Sequence, residues 1–287
     1  MNKSALTLAI PNKGRLREPS LRLLKSAGMS FEVTDRALSL RVRNVEVDLV
    51  LVRTEDIPGM LIEGVADVGI TGLDLMEESD PDAALVPLVK LDFGFCRLAA
   101  AVPNASSIDS LEDLRGLRVA TSHPRTTARF LSDRGIPASV VALKGSVEAA
   151  TKIALADAVV DLVSTGSTLR LNGLRDIGVL LESQAVLAGL PEVRDNRLVR
   201  QLVTAVRAVT AGRRKRYLLL NTSVDNTAEI SRLMPGLSAP TIVPLDDPEM
   251  VAMHSVVDAS DLWDLLPRLE DAGGKGILVL DIGQLVP

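Results

Sequence analysis

The segment Asp157-Ala-Val-Val-Asp161-Leu-Val-Ser164-Thr165-Gly166-Ser167-Thr168-Leu169 runs an apolar strand straight into hydroxyls and a glycine that open a helix. Amides at a helix start point outward, glycine lets the backbone approach a ligand, and Ser and Thr hydroxyls add donors, so such a junction binds phosphate. Asp161, near the strand's C-terminal end, can accept from sugar hydroxyls beside that phosphate. An ordinary Ser/Thr-capped helix fits the same residues, and pattern alone leaves both readings open. A Walker loop does not fit, because no Gly-Lys-Ser/Thr closes a glycine-led loop. Two further strand ends repeat the theme: Asn12-Lys13-Gly14-Arg15 after the first strand and Gly69-Ile70-Thr71-Gly72-Leu73-Asp74 after the third. Lys13 and Arg15 bring positive charge to a polyphosphate, Arg53 stands at another strand end, and Asp74 can accept from an amine or hydroxyl. Each basic residue taken alone also reads as a solvated charge; three at strand ends in one lobe shift the balance toward a ligand.

The other reactive side chains read more plainly. His123, in Ser122-His123-Pro124, is a turn residue or touches a ligand at a strand end; His254 is expected to pack in an apolar strand; Cys96 is a small core or hinge residue. One cysteine excludes an internal disulfide, and one cysteine with two histidines is no structural zinc set. The run Arg213 to Arg216 is expected to be a solvated or subunit-contact surface. With aromatics at 2% and a net charge of −5, the chain has few stacking partners and no field for a polyanion, so nucleic acid is not an expected partner. No uninterrupted apolar run exceeds Leu98 to Val102, which excludes a membrane-spanning helix, and Met1 to Pro11 lacks the pattern of a secretory signal. A cytoplasmic protein is expected.

The elements that must hold these residues follow from periodicity. At 287 residues, 47% hydrophobic and 24% charged, the chain predicts about two globular domains with aliphatic cores. Strands over Leu6 to Ile10, Val45 to Val52 and Val68 to Ile70 alternate with helices from Leu16 to Ala27 and Asp56 to Glu63, which implies a parallel sheet. The same grammar restarts after Pro103: a helix capped by Ser110, strand Arg118 to Thr121, helix Arg125 to Arg134, strand Val140 to Leu143, helix Val147 to Ala156, strand Val159 to Val163 and helix Ser167 to Asn172. A long helix, Arg194 to Ala211, precedes a domain boundary at Gly212. Beyond it the order is βαββαβ, the ferredoxin-like order.

At these residues the sequence resembles the long, regulated form of the ATP phosphoribosyltransferase family. The resemblance is most specific from Glu148 through Leu169, similar to a signature of a glutamate, a spacer and Asp-Leu-Val-Ser-Thr-Gly-x-Thr-Leu. Supporting stretches are Leu91-Asp92-Phe93-Gly94, Arg118 to Ser122 with Pro124, Gly145 to Glu148, Asn172 to Arg175 and Pro240-Thr241-Ile242. It implies an α/β fold of two periplasmic-binding-protein-like lobes with a cleft between them, plus a C-terminal ferredoxin-like regulatory domain. Its implied boundaries are 1–96 with about 182–211 for lobe I, 97–181 for lobe II and 212–287 for the regulatory domain. It implies transfer of phosphoribosyl from phosphoribosyl pyrophosphate to N1 of ATP with Mg²⁺, feedback inhibition by histidine, and a homo-oligomer from dimer to hexamer. Carried over residue by residue, Ser164, Thr165, Gly166, Ser167 and Thr168 hold the 5-phosphate, Asp161 faces the ribose hydroxyls, and Glu148 belongs to the same phosphoribosyl pyrophosphate site. Lys13, Arg15, Arg53 and Asp74 belong to the wall serving ATP and pyrophosphate, and Asn221, Thr241 and Gly276 to a histidine site; no metal ligand is assigned. Two departures stand out: Ala154 replaces a signature glycine, and His123 replaces the commoner tyrosine. The rivals are a non-catalytic two-lobed ligand-binding module and a different phosphoribosyltransferase. Against the second, Asp157 and Asp161 are separated where adjacent acids are usual.

Overall fold

The computed structural model describes residues 5–33, 37–80 and 82–286. The chain forms two compact units, Met1–Arg22 with Met29–Arg200, and Leu23–Gly28 with Gln201–Pro287. The first carries two sheets and the second carries one.

In lobe I of the first unit, β1 (Leu6–Pro11), α1 (Arg17–Ser26), β2 (Ser39–Arg41), β3 (Val47–Val52), α2 (Ile57–Ile62), β4 (Val68–Gly72), α3 (Leu73–Ser79) and β5 (Val86–Lys90) follow in order. The chain then crosses to lobe II. There it forms β6 (Cys96–Pro103), β7 (Arg118–Thr121), α4 (Pro124–Asp133), β8 (Ser139–Ala142), β9 (Ala158–Val163), α5 (Ser167–Leu171) and β10 (Leu174–Ser183), and returns as β11 (Ala185–Gly189). The sheets order as β2-β3-β1-β4-β11-β5 and β10-β6-β9-β7-β8. The expected parallel pairing holds where β1 pairs with β3 and β4, and β7 with β8 and β9. Elsewhere the sheets are mixed: β11 runs antiparallel to β4 and β5, and β6 antiparallel to β9 and β10. The double crossing is the reason, since a strand that returns from the other lobe enters from the opposite end. The two crossings are tied together, with Leu91 N–H donating to the Ala185 carbonyl (2.9 Å) and the Gln184 amide donating to the Leu91 carbonyl (2.7 Å).

Leu98 to Val102, the longest apolar run, lies on β6, an interior strand of the lobe II sheet, and is buried on both faces. Leu98, Ala100 and Val102 join one core cluster, and Ala99 and Ala101 the other. Such a strand reads as a continuous apolar run rather than an alternating one.

Two expected helices shrink to short turns. Ser110 does not cap a helix: its hydroxyl and amide donate to Asp113 Oδ2 (2.9 and 3.0 Å), and only a 3₁₀ turn, Glu112–Leu114, follows. Val147 to Ala156 becomes the 3₁₀ turn Val147–Ala149 and further turns. Ser146 (φ 49°) and Ala154 (φ 57°) bracket that segment in the left-handed region, which no α-helix tolerates. The value at Ala154 gives the physical reason for a glycine in the signature.

The long helix, α6 (Arg197–Arg213), starts three residues later than expected, because Asn196 Oδ1 accepts from Leu198 N–H (2.8 Å) and caps it there. In the second unit, β12 (Lys215–Ser223), α7 (Thr227–Leu233), β13 (Thr241–Pro244), β14 (Met250–Asp258), α8 (Leu262–Asp271) and β15 (Lys275–Asp281) give the expected βαββαβ order. Their sheet orders β13-β14-β12-β15, all antiparallel. Leu218, Leu220, Val251 and Met253 bury toward Ile230, Leu265 and Leu269. Leu278 and Leu280 stay 58% and 49% exposed.

Candidate active site

The parallel pairing of β3, β1 and β4 brings their C-terminal ends to one edge, and with them Arg53, the loop Asn12 to Arg15, and the start of α3. Such edges are where open α/β sheets bind ligands. Lys13 and Arg53 stand exposed there. Arg15 reaches to lobe II: its guanidinium donates to Ser164 Oγ (3.3 Å) and to Cys96 Sγ (2.9 Å). Cys96 is therefore a buried hinge residue with a cation beside it. Next to Ser164 lies a cavity of about 380 Å³ whose lining includes Lys90, Arg97, Glu182 and Gln184.

In lobe II, β7 and β9 are parallel, so Ser122 and His123 share an edge with Asp161 and Ser164. Gly166 caps α5 with φ 74°, and the first helical bond runs from Arg170 N–H to the Gly166 carbonyl (3.1 Å). The amides of residues 166 to 169 are thus spared by the helix, beside the exposed hydroxyls of Ser164, Thr165, Ser167 and Thr168. A five-residue helix carries little dipole, so the loop's own donors do most of the work an anion would need.

The two carboxylates of the cleft differ. Asp74, on the first turn of α3, is 2% exposed, and both its oxygens are engaged: Ser183 Oγ–H donates to Oδ1, and His123 Nε2 lies 3.3 Å from Oδ2. Burial pushes the Asp74 carboxyl up, but the hydrogen bonds from His123 and Ser183 and the charge of His123 outweigh it and hold the pKa below the ordinary 3.8. A side chain at Gly72 would collide with Asp74 Oδ1, so the strand end must be glycine for this carboxylate to fold back. Asp161 is half-buried; its Oδ1 accepts from its neighbour Leu162 N–H (2.8 Å), and Ser122 Oγ lies 3.5 Å away. Burial raises its pKa, the Leu162 amide opposes that rise, and the negative charge of Glu148 in the adjacent 3₁₀ turn adds to it.

Helix α3 grips lobe II with more than Asp74. Glu78 accepts from the amides of Arg125 (3.0 Å) and Thr126 (2.8 Å), capping α4 from the other lobe, and Glu77 pairs with Arg129. Sequence periodicity does not reveal these contacts, because α3 spans only seven residues and is too short to show a helical repeat. The signal that would have found them is Asp74, Glu77 and Glu78 at i, i+3 and i+4, which share one helix face. Ser183 carried no local signal at all: it lies 109 positions from Asp74.

In the ferredoxin-like sheet, Asn221 is exposed on β12 opposite Lys275, next to Gly276 (φ 59°) on the edge strand β15. Thr241 lies on β13, the other edge of the sheet, opposite His254. His254 is not packed in the core as expected. It alternates with buried Met253 and Ser255, faces the side away from the helices, and is hydrogen-bonded to Tyr217 Oη. From the basic run, Lys215 pairs with Asp258 and Arg216 with Asp281 (2.9 and 3.0 Å).

Two mixed α/β lobes joined by a double crossing, with polar strand ends facing a shared cleft and a ferredoxin-like domain after them, define a two-lobed fold of the periplasmic-binding-protein type with an appended domain. Residues 53–208 match the family model described as ATP phosphoribosyltransferase, and residues 212–284 match that of its C-terminal domain. ATP phosphoribosyltransferases of Natronomonas pharaonis and Cytophaga hutchinsonii are 39% and 37% identical, covering 98% and 99% of this chain and 100% and 99% of theirs. A solved structure of an ATP phosphoribosyl transferase HisG:HisZ complex from Thermotoga maritima aligns with TM-score 0.59 at 28% identity, over 70% of this chain and 98% of that one. The chain belongs to the ATP phosphoribosyltransferase family, in its long form. It is an enzyme that transfers phosphoribosyl from phosphoribosyl pyrophosphate to N1 of ATP, giving phosphoribosyl-ATP and diphosphate. The reading of a non-catalytic binding module falls with that membership.

Proposed function

We propose that the two lobes divide this reaction between them. Ser164 to Thr168 hold the 5-phosphate, and Asp161 faces the ribose hydroxyls with Glu148 behind it. Lys13, Arg15 and Arg53 line the wall that serves ATP and the departing pyrophosphate, while buried Asp74 holds that wall from within. The observation that carries this reading is Arg15 of lobe I donating to Ser164 of lobe II (3.3 Å), which puts a cation of one lobe on the phosphate loop of the other. Adenine N1 is its own nucleophile and has no proton to lose, so the chain needs no strong base. Its residues align two polyanions, and the Asp161 charge favours the oxocarbenium character that develops at C1. Thr168→Ala, which removes one hydrogen bond to a charged oxygen, is expected to raise KM for phosphoribosyl pyrophosphate about tenfold to a hundredfold and KM for ATP far less. Gly166→Val should act in the same direction. Equal rises for both substrates in a folded variant would remove the loop from this role.

Mg²⁺ fits as an ion carried in on the polyphosphates. Among the described residues no three His, Cys, Asp or Glu stand together as a metal cage, and Mg²⁺ commonly keeps its waters and binds through substrate phosphates, whose charge it neutralises. Histidine, as feedback inhibitor, is assigned to the C-terminal domain at Asn221, Thr241 and Gly276. Since β14 separates Asn221 from Thr241 whereas β12 and β15 are neighbours, Asn221 with Gly276 is the stronger half of that site. A carboxylate at position 221 adds a charge-assisted partner for the effector's ammonium group, so Asn221→Asp should tighten histidine inhibition and leave uninhibited turnover nearly unchanged. Histidine titrations by calorimetry and initial rate test this, and unchanged affinity would exclude the side chain. The exposed Leu278 and Leu280 of the open sheet face support a homo-oligomer, dimer to hexamer. No helix among the described residues is long and apolar enough to cross a membrane, and the ATP substrate accords with the cytoplasm.

A further inference from the structure

One chain of side chains crosses the cleft from lobe to lobe. Ser183 on β10 donates to Asp74 on α3; Asp74 Oδ2 faces His123 Nε2 (3.3 Å); His123 Nδ1 faces Ser122 Oγ (2.9 Å); and Ser122 Oγ lies 3.5 Å from Asp161 Oδ1. His123 is 3% exposed, and its backbone is pinned by Thr121 Oγ1 accepting its N–H (2.9 Å) and by its carbonyl accepting from Thr127 N–H (3.0 Å). The imidazole thus has one orientation and two polar neighbours.

Asp74 is an acceptor only when ionised, so Nε2 carries the hydrogen that faces it. In the neutral ring Nδ1 is then bare, and the single hydrogen of Ser122 turns to it. Ser122 cannot at the same time donate to Asp161, and 3.5 Å is the separation of a hydroxyl whose hydrogen points elsewhere. Protonating the ring reverses this. Nδ1–H donates to Ser122 Oγ, and the serine hydrogen is released toward Asp161 Oδ1.

We propose that His123 is a positioning residue for the ribose carboxylate, choosing through Ser122 whether Asp161 keeps its lone pairs and full charge for the sugar or spends one on a serine hydroxyl. The neutral, Nε2-protonated ring is the active form, and acid weakens the grip on phosphoribosyl pyrophosphate. This rests on the assignment of Asp161 to the ribose. The charged groups around the ring are Asp74 on α3, Glu78 of the same helix at the start of α4, and Asp161 on β9 with Glu148 beyond it; Thr121, Ser122 and Ser183 supply the hydroxyls. The family's commoner tyrosine donates and accepts through one oxygen and lacks a second ring atom that can gain a proton, so the switch depends on the histidine of this chain.

The first test is the ¹⁵N spectrum of the imidazole rings in the full-length protein. With only two histidines, a His254→Gln variant assigns both. The expected result is the Nε2-protonated tautomer for His123 at neutral pH, and the Nδ1-protonated tautomer would overturn the proposal whatever Asp161 does.

The second test is kinetic. His123→Gln keeps a donor for Asp74 and an acceptor for Ser122 but does not titrate; it should retain turnover and lose the acid fall in kcat/KM for phosphoribosyl pyrophosphate. His123→Phe should raise KM for that substrate about tenfold and KM for ATP little. An acid limb that persists unchanged in His123→Gln would defeat the proposal even if His123→Phe does not fold. Asp161→Asn separates the two levels: if it leaves KM for phosphoribosyl pyrophosphate unchanged, the ribose assignment fails. If it raises KM while a folded His123→Phe does not, only the role of His123 fails.

Discussion

The α3 end of lobe I and the β9 end of lobe II each offer a carboxylate to the same cleft, and the protein treats them oppositely. Asp74 has its hydrogen bonds supplied by Ser183 and His123 and sits below its ordinary pKa. Asp161 has the amide of its neighbour and a distant serine, faces Glu148, and sits above it. A buried carboxylate whose partners are all internal is part of the scaffold. One left short of partners at a half-open edge retains capacity for a ligand, and its pKa is raised because burial outweighs the few hydrogen bonds that oppose it.

The sharpest way to break this contrast is to remove each carboxylate. Asp74→Ala strands His123 and Ser183 in a buried site and is expected to cost about 3–5 kcal/mol in urea unfolding, as breaking a buried pair does. A loss under about 1 kcal/mol would show that Asp74 is not structural. Asp161→Asn should leave stability unchanged or slightly higher, because burial opposes that charge, while KM for phosphoribosyl pyrophosphate rises tenfold or more.

Acid titration of stability sharpens the same contrast, with opposite signs on either side of pH 3.8. Asp74, depressed when folded, binds fewer protons than in the unfolded chain; its stabilisation is full above 3.8 and is lost as pH falls through the folded value. The deficit of Asp74→Ala should therefore narrow below pH 3.8. Asp161, raised when folded, holds its proton longer than the unfolded chain and weighs against folding as pH rises above 3.8. Any gain from Asp161→Asn should therefore appear above that pH and vanish below it.

The smallest expected effect lies at the other departure from the family signature. Ala154 sits at φ 57°, where a Cβ costs about 1–2 kcal/mol and glycine loses about 0.5–1 kcal/mol in entropy. Ala154→Gly should raise stability by about 1 kcal/mol or less without altering KM for either substrate. A destabilised variant would mean that surrounding contacts hold the turn regardless of residue type.

Much of this protein was settled by its sequence. Strand ends followed by hydroxyls, glycines and cations are local patterns, and the placement of Asp161 to Thr168, Lys13 and Arg53 at such ends was legible because a strand, a loop and a helix start are contiguous in the chain. The βαββαβ order after Gly212 was legible for the same reason. Tertiary structure alone decided what lies between lobes. That Asp74 is buried rather than exposed to ligand depends on Ser183, 109 positions away, and that His123 is a bridge rather than a turn residue depends on Asp74, 49 positions away. The antiparallel strands β5, β6, β10 and β11 were hidden because a double crossing leaves no periodic signature in the residues that make it. Local chemistry is written in neighbouring residues. The pairing that determines which carboxylate is free is made by chain closure, and no window of sequence contains both ends of it.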